Sequence, residues 1–163
     1  MKKILAAVST LLLVGALAFA EATLNTSELE ASESVTEAIS LNGFTINASK
    51  DKEVRVKNVN KVAPDGKSFS KCIDLRGKQS NGARTIKFSA KKGETVTVYG
   101  NSGSKTDERK ILVQTAKKKT IKSIPVKIYT GEISVGEVTI PEDGDYQVCS
   151  EDKGVYVYGI IVK

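Results

Sequence analysis

The sequence predicts an all-β protein, a two-sheet antiparallel jelly-roll β-sandwich of roughly ten short strands. After residue 43, apolar and polar residues alternate with a period of two, as they do in half-buried strands. Turn-forming sequences such as those at 64–67 and 141–144 separate these segments, at the spacing of about eight to twelve residues that is typical of sandwiches. No segment carries a sustained helical stripe, so a βαβ fold is excluded.

The predicted strands follow one another along the second part of the chain. Val54 to Lys57 and Thr95 to Tyr99 show the alternation most clearly, with apolar residues at every second position. A jelly roll protects its edges over about this number of strands, which is why we favour it. The strands are expected at 44–48, 54–57, 69–75, 85–88, 95–99, 111–113, 121–129, 133–140, 146–148 and 155–162.

The first twenty residues predict a cleavable signal peptide. Lys2 and Lys3 precede an apolar run from Ile4 to Leu17, and small residues lead to Ala20, where a signal peptidase would cut. The run is short for a bilayer core of roughly 30 Å, so we expect no transmembrane anchor in the mature chain. The protein is therefore expected to be exported, to the periplasm or to the outside of the cell.

Charge divides the rest of the chain into two parts. Residues 21–42 are rich in Glu, Ser and Thr, which predicts an acidic flexible tether before a sandwich domain at 43–163. Residues 41–163 carry 23 basic and 14 acidic residues, a balance of +9. A basic exported domain fits anionic polysaccharide or an acidic cell surface better than nucleic acid, although a merely solvated lysine-rich face is the alternative.

The chain contains neither His nor Trp. The absence of His removes the commonest general base, the usual partner of a nucleophilic Ser or Cys, and the usual imidazole metal ligand. The composition therefore predicts a protein that is not an enzyme, with no catalytic residue and no cofactor. The turn at 141–145 holds acidic oxygen donors for a structural Ca²⁺, but it lacks the spacing of a defined calcium loop.

Two cysteines, Cys72 and Cys149, follow the signal peptide. An even number of cysteines in an oxidising compartment favours a disulfide. The alternation of strand 69–75 places Phe69, Ile73 and Leu75 in the core and Cys72 on the opposite face, and Cys149 is also outward in its own strand. A bond between them requires neighbouring strands of one sheet, and two free thiols are the alternative.

Two groups of polar residues are candidates for ligand binding. The first lies in the polar loop from residue 99 to residue 109, which offers an aromatic ring, an amide, a hydroxyl, a carboxylate and a guanidinium, a mixture that suits a sugar. The second is basic and would suit a carboxylate on that sugar. The groups are Tyr99, Asn101, Ser102, Asp107 and Arg109, and Lys71 with Arg84. An internal ion pair, such as Asp107 with Arg109, is the alternative explanation.

The order of these motifs resembles the β-sandwich accessory module of secreted bacterial pectate lyases and related polysaccharide-degrading enzymes. The similarity runs through GFTI at 43–46, SFSKCIDL at 68–75, RTIKF at 84–88, TVTVY at 95–99, GDY at 144–146 and VYVY at 155–158. Three features depart from it: Cys72 in place of a basic residue, Glu108 between Asp107 and Arg109, and the lysine-rich stretch 116–123.

The resemblance implies a non-catalytic, carbohydrate-binding-like jelly roll. It also implies that Lys71, Arg84, Asp107 and Arg109 share one polar cluster, which is either a ligand site or a structural network. The sequence thus predicts a secreted, lectin-like module for anionic polysaccharide or surface glycan. The alternative is a structural or protein-interaction domain of the cell envelope, with a protein partner at the tether or at a sheet edge.

Overall fold

A computed structural model describes residues 20–163, and the predicted signal peptide lies outside the described residues except for Ala20. The described chain is all-β apart from one short 3-10 turn, Thr26–Glu28, so the fold class is confirmed. Within the described residues, no helix is long and apolar enough to cross a bilayer. The strands are β1 (Ala22–Asn25), β2 (Ser32–Val35), β3 (Ile39–Leu41), β4 (Phe44–Asn47), β5 (Val54–Val62), β6 (Ser68–Asp74), β7 (Thr85–Ala90), β8 (Thr95–Ser102), β9 (Arg109–Thr115), β10 (Thr120–Val126), β11 (Ser134–Thr139), β12 (Gly144–Ser150) and β13 (Val155–Val162).

The strands form two antiparallel sheets. Sheet A has the order β11-β8-β13-β6-β5-β2, and β1 also pairs with β13. Sheet B has the order β10-β9-β12-β7-β4-β3. From β10 to β13 the chain changes sheet at every connection, which carries successive strands across the sandwich as in a jelly roll.

The main core lies between the two sheets and follows from the alternation. Val96 and Val98 of sheet A, and Ile86, Ile111 and Val148 of sheet B, are fully buried in one cluster. Burial of each such side chain is worth about 1.5–3 kcal/mol relative to exposure. The ten strands that the alternation predicted are all present, as β4 to β13.

The prediction of a flexible tether at 21–42 is wrong for the described residues. This segment forms the 3-10 turn and the strands β1, β2 and β3. These three strands come in addition to the ten that were predicted. β1 pairs with the C-terminal strand from Ala22↔Val162 to Asn25↔Gly159, and Leu24 is fully buried. The few apolar residues of this segment stand among Glu, Ser and Thr, which hides the period of two, but Leu24, Leu29 and Val35 lie in the core.

A second apolar cluster covers part of the outer face of sheet A. It contains Phe69, Cys72, Tyr99, Ile133 and Tyr158. Alternation with Val155 and Val157 turns Tyr158 away from the main core, and a bulge between Val157 and Gly159 then returns Ile160 and Val162 to that core. Ile73 and Leu75 lie in the main core as predicted, but Phe69 does not, since it packs in the outer cluster against the rings of Tyr99 and Tyr158.

The predicted disulfide does not form, because Cys72 lies in β6 of sheet A and Cys149 in β12 of sheet B. Both thiols are free and fully buried. Each points away from the main core, as the alternation predicted, and outward positions on different sheets cannot meet. Burial raises the pKa of both thiols to about 12, which keeps them protonated and unreactive at neutral pH.

Candidate functional site

An open cleft of about 710 Å³ lies at one end of the sandwich, where several loops converge. It is formed by the loops before β5, after β6, after β8 and between β12 and β13, together with the ends of β6, β9 and β13. Six basic and two acidic side chains line it, so the cleft is strongly cationic. The basic residues are Lys52, Arg76, Lys78, Arg84, Arg109 and Lys153, and the acidic ones are Asp74 and Asp152.

Three arginines form the centre of the cleft, each fixed by a backbone or carboxylate partner. Arg84 donates from Nε to the carbonyl of Glu53 at 3.3 Å, and Arg76 pairs through Nη1 with the Glu53 carboxylate. Arg109 donates from Nη1 to the carbonyl of Gly154, and its buried Nε donates to no described group. The guanidinium groups are therefore held in place while part of their donor capacity stays free for a ligand.

The backbone at two of these arginines is strained. Arg76 has φ 55° and Arg84 has φ 58°, values in the left-handed region that costs side-chain-bearing residues about 1–3 kcal/mol. Close packing accompanies the strain, because a Cβ on Gly154 would lie 3.3 Å from the Cα of Arg76. Strain of this kind concentrates at ligand clamps, where the surrounding structure fixes a conformation that the chain would otherwise avoid.

Asp74 is the acidic group buried within the cleft, and only 8% of it is exposed. Burial raises the pKa of its carboxyl, while a hydrogen bond from the backbone N–H of Arg76 and the charge of Lys57 partly offset this effect. Burial also lowers the pKa of the Arg84 guanidinium, as does the like charge of Arg76. Arg84 nevertheless stays protonated at neutral pH, since an arginine starts far above it.

Two tyrosines form the aromatic part of the site. Tyr156 lines the cleft, and the ring of Tyr129 meets it edge to face, with centroids 5.0 Å apart and planes at 88°. Lys57 donates from Nζ to the Tyr156 hydroxyl at 3.1 Å, which holds the ammonium at the hydroxyl end of the ring. Of the eight aromatic residues in the described chain, six are buried, and only Tyr129 and Tyr156 are partly exposed.

The structure brings together two of the seven binding residues that the sequence suggested. Arg84 and Arg109 both line the cleft. Asp107 is exposed on the neighbouring loop, where it borders a smaller groove shared with Arg109. It accepts a hydrogen bond from Ser104 at 3.2 Å. The ion pair between Asp107 and Arg109, which was the alternative explanation, is not among the ion pairs of the described side chains.

The other four suggested residues have structural partners away from the cleft lining. Lys71 donates to the carbonyl of Ser27 at 3.0 Å, so it does not share a cluster with Arg84. Tyr99 is buried in the outer cluster and donates to Asp65 at 2.8 Å. Asn101 is fully buried and donates to backbone carbonyls, among them that of Glu132 at 2.9 Å, while Ser102 donates to the carbonyl of Asp107 at 2.5 Å.

Several cleft residues were not predicted from the sequence. Arg76 directly follows a strand in the segment LRGKQSNG, where the adjacent Gly77 and the later NG pair signal an irregular loop. Tyr156 follows Val155 in a strand that reads as strictly alternating, and its exposure could be inferred from that alternation alone. No local signal indicates that the two residues meet.

The structural Ca²⁺ considered for the acidic turn at 141–145 stays a prediction, and two carboxylates of this turn have hydrogen-bond partners. Asp145 accepts a hydrogen bond from Ser89 at 2.7 Å, and Asp143 accepts one from the backbone N–H of Lys92 at 2.8 Å. Across residues 20–163, no group of three or more His, Cys, Asp or Glu side chains could hold a metal ion.

No protein-family model matches the sequence, and no curated protein matches it. Solved structures with a similar strand layout include carbohydrate-binding modules. The CBM51-2 and INT domains of Clostridium perfringens ZmpB, solved with GlcNAc, share 11% identity over 88% of this chain and 32% of that chain, with a TM-score of 0.48. The CBM22-1 xylan-binding domain of Paenibacillus barcinonensis Xyn10C shares 8% identity over 86% of this chain and 91% of that chain, with a TM-score of 0.47.

A third structure is the isomalto-dextranase of Arthrobacter globiformis, with 11% identity and a TM-score of 0.43. The match covers 67% of this chain and 20% of the enzyme, so this chain spans about a fifth of the enzyme's length. At TM-scores below 0.5, nothing about a ligand or an activity of this chain follows from these matches. The resemblance to the pectate lyase accessory module likewise stays a prediction.

Proposed function

We propose that this protein is an exported, non-catalytic module that binds anionic polysaccharide or surface glycan in the cleft around Arg84 and Arg109. One observation carries the proposal: Tyr156, one of the two partly exposed aromatic residues of the described chain, lines the cationic cleft, and the other, Tyr129, contacts its ring edge to face. A sugar acid needs both parts, an apolar ring face for its C–H groups and charged donors for its anionic group.

The electrostatics support an anionic ligand. The cleft gathers a net excess of four positive charges, from six basic and two acidic side chains. A guanidinium binds a carboxylate or sulfate through two parallel hydrogen bonds, and such charge-assisted bonds are worth about 1.5–3 kcal/mol each. Since Arg84 and Arg109 already have backbone partners, a ligand binds them with little loss of side-chain entropy.

The chemistry of the cleft supports binding without catalysis. The cleft contains no Ser, Cys or Thr paired with a base, since the chain has no His and both thiols are buried elsewhere. Its ionisable groups are six basic side chains, the carboxylates of Asp74 and Asp152 and the hydroxyl of Tyr156, and Asp74 accepts a hydrogen bond from the backbone N–H of Arg76.

The test is binding of residues 20–163 to polygalacturonate, alginate and dextran sulfate, with neutral dextran as the uncharged reference. We expect retardation in affinity gels by at least one anionic polymer, and about a tenfold to hundredfold loss of affinity in Arg84→Ala and in Arg109→Ala. Lys122→Ala is the matched control, since it also removes one positive charge, but from an exposed position in strand β10 that lies outside the cleft.

Two results would contradict the proposal. One is the absence of binding to every anionic polymer. The other is an equal loss of affinity in Arg84→Ala, Arg109→Ala and Lys122→Ala, which would reduce the interaction to overall charge. Release of reducing ends from any polymer by the purified protein would show an enzyme instead.

A further inference from the structure

Strand β11 (Ser134–Thr139) is an open edge of sheet A. It pairs with β8 on one side only, and the register runs unbroken over six residues from Ser134↔Gly100 to Thr139↔Thr95. An unpaired edge presents backbone N–H and C=O groups that a further strand can satisfy.

The other edges in the described part of the chain are unsuited to such pairing. β2 and β10 both contain register shifts, and β10 also carries Lys122 and Pro125, residues that protect edges. β3 has three residues and β1 has four. Among the described edge strands, β11 therefore combines length, regularity and the absence of Lys and Pro.

The side chains of β11 divide cleanly between its two faces. Gly136 faces the interior, where an added Cβ would lie 2.4 Å from Cγ2 of Ile124. By alternation Ser134 and Val138 also face inward, whereas Val135, Glu137 and Thr139 are exposed. Val135 is 41% exposed, and it is one of two large hydrophobic residues in the described chain with such exposure.

A groove of about 480 Å³ runs beside the start of β11. Its apolar lining includes Pro64, Pro125, Val126, Ile133 and Val135, and its polar lining includes Glu108 and Glu132. When a strand is added to a sheet edge, main-chain hydrogen bonds provide affinity, and pockets beside the edge that bind side chains provide specificity. β11 and this groove supply both.

We propose that β11 is a dimerisation edge, to which a second copy of this chain adds its own β11 in antiparallel orientation about a two-fold axis. A two-fold centred on Gly136 pairs residues 134–138 of both strands and sets Val135 opposite the partner's Glu137. A two-fold centred on Glu137 would set two carboxylates opposite each other, which is destabilising, and one centred on Val135 would pair fewer residues of the strand.

The opposite edge strand of sheet A, β2, is not an alternative partner for β11 on the second copy. β2 is bulged and lies in a segment that carries Glu30, Glu33 and Glu37, so its approach to Glu137 would bring like charges together. Pairing of β11 with β11 uses the same surface on both copies. It therefore gives a closed dimer, as in most homodimers, and not an open-ended filament.

The arrangement has a consequence that depends on the proposed function. Ser134 pairs with Gly100 near the end of β8 that leads into the cleft, so antiparallel pairing places the two clefts at opposite ends of the dimer. Such a dimer would hold two polymer segments at once.

Sedimentation equilibrium of residues 20–163 between about 1 µM and 1 mM tests the dimer. We expect a reversible monomer–dimer equilibrium for the wild type. The dimer of Val135→Glu should be about tenfold weaker, because the new carboxylate of each copy lies opposite Glu137 of the other copy. Val135→Lys sets an ammonium opposite a carboxylate, and it should dimerise as tightly as the wild type or more tightly.

Val62→Glu is the matched control, because Val62 is the other large exposed hydrophobic residue and lies in β5. It should leave the dimer unchanged. A wild type that stays monomeric at 1 mM would overturn the proposal, as would equal weakening by Val135→Glu and Val135→Lys. Thermal unfolding confirms that each variant is folded, and glycan binding by monomeric Val135→Glu separates this proposal from the function of the cleft.

Discussion

The outer face of sheet A has two halves that use the same residue types for opposite purposes. In one half, Tyr99 and Tyr158 are buried with Phe69 and Cys72 in a closed cluster. In the other half, Tyr156 and Tyr129 stay partly exposed beside the cationic cleft.

The covering segments make the difference. Ala63 and Ile133 cover the first half. Beside it, where the pairing of β6 with β13 ends, the 3-10 turn lies between the two strands, and the hydroxyl of Thr26 is 2.6 Å from the carbonyl oxygens of both Lys71 and Tyr158. The second half lies under no such cover, and there the loops contribute charged side chains. The covered half therefore contributes to stability, and the open half provides a surface for a ligand.

The largest expected effect is on stability and falls on the covered half. Phe69→Ala should lower the free energy of unfolding by about 3–5 kcal/mol, because it empties a buried site between two rings. Tyr129→Ala, which removes a half-exposed ring, should cost clearly less. Denaturant titration measures both. Loss of glycan binding by folded Phe69→Ala would show that the two halves are not independent.

Thiol reactivity tests how well the covered half is closed. With a pKa of about 12, Cys72 should react with iodoacetamide at pH 8 about a thousandfold more slowly than a free thiol, whose pKa is about 8.5. Cys149 should be equally slow, and both should react fully in denaturant. Mass spectrometry follows the labelling. A mass that rises by two hydrogens only after reduction would instead reveal a disulfide.

In the open half, the ring of Tyr156 should matter more than its hydroxyl. Tyr156→Ala should weaken binding of the anionic polymer about tenfold, because it removes the ring against which a sugar packs. Tyr156→Phe keeps the ring and loses only the bond from Lys57, so its affinity should stay within about threefold of the wild type. Isothermal titration calorimetry provides the comparison. Equal losses in the two variants would argue against a stacking role.

The smallest expected effect is a pH dependence from Asp74. Since burial raises the pKa of its carboxyl, protonation begins at a higher pH than usual and makes the cleft more positive. Affinity for dextran sulfate, whose charge does not titrate here, should rise as the pH is lowered from neutrality towards the ordinary pKa of an aspartate. The matched variant Asp74→Asn should flatten the profile, and an unchanged slope in that variant would assign the effect to other groups.

The same shift has a consequence for stability. A carboxyl whose pKa is raised in the folded state favours folding below its unfolded pKa, and that contribution is lost as the pH rises through the folded pKa. Asp74→Asn should therefore be more stable than the wild type at neutral pH, by an amount that shrinks on acidification. Thermal unfolding at several pH values measures this.

The sequence was informative wherever a local pattern repeats. Alternation located all ten strands from β4 to β13, and it correctly placed Cys72 and Cys149 away from the main core. It failed at Phe69, because a bulge in β5 shifts the register with β6 between Lys71 and Phe69 and changes which residues share a face. It also failed for β1 to β3, because their few apolar residues stand among the Glu, Ser and Thr of residues 21–42.

The candidate site depended on tertiary structure to a greater extent. Arg84 and Arg109 could be singled out as basic residues at strand starts, but nothing in the chain shows that Arg76, Asp74 and Tyr156 join them. Lys71 looked equivalent to Arg84 in sequence, yet it bonds to the 3-10 turn. The alternation, the turns and the missing His by themselves determined a β-sandwich without imidazole chemistry, because these are properties of short segments and of composition. Only the tertiary structure decided which loops meet at one end of the sandwich, because the pairing of strands distant in sequence sets that geometry.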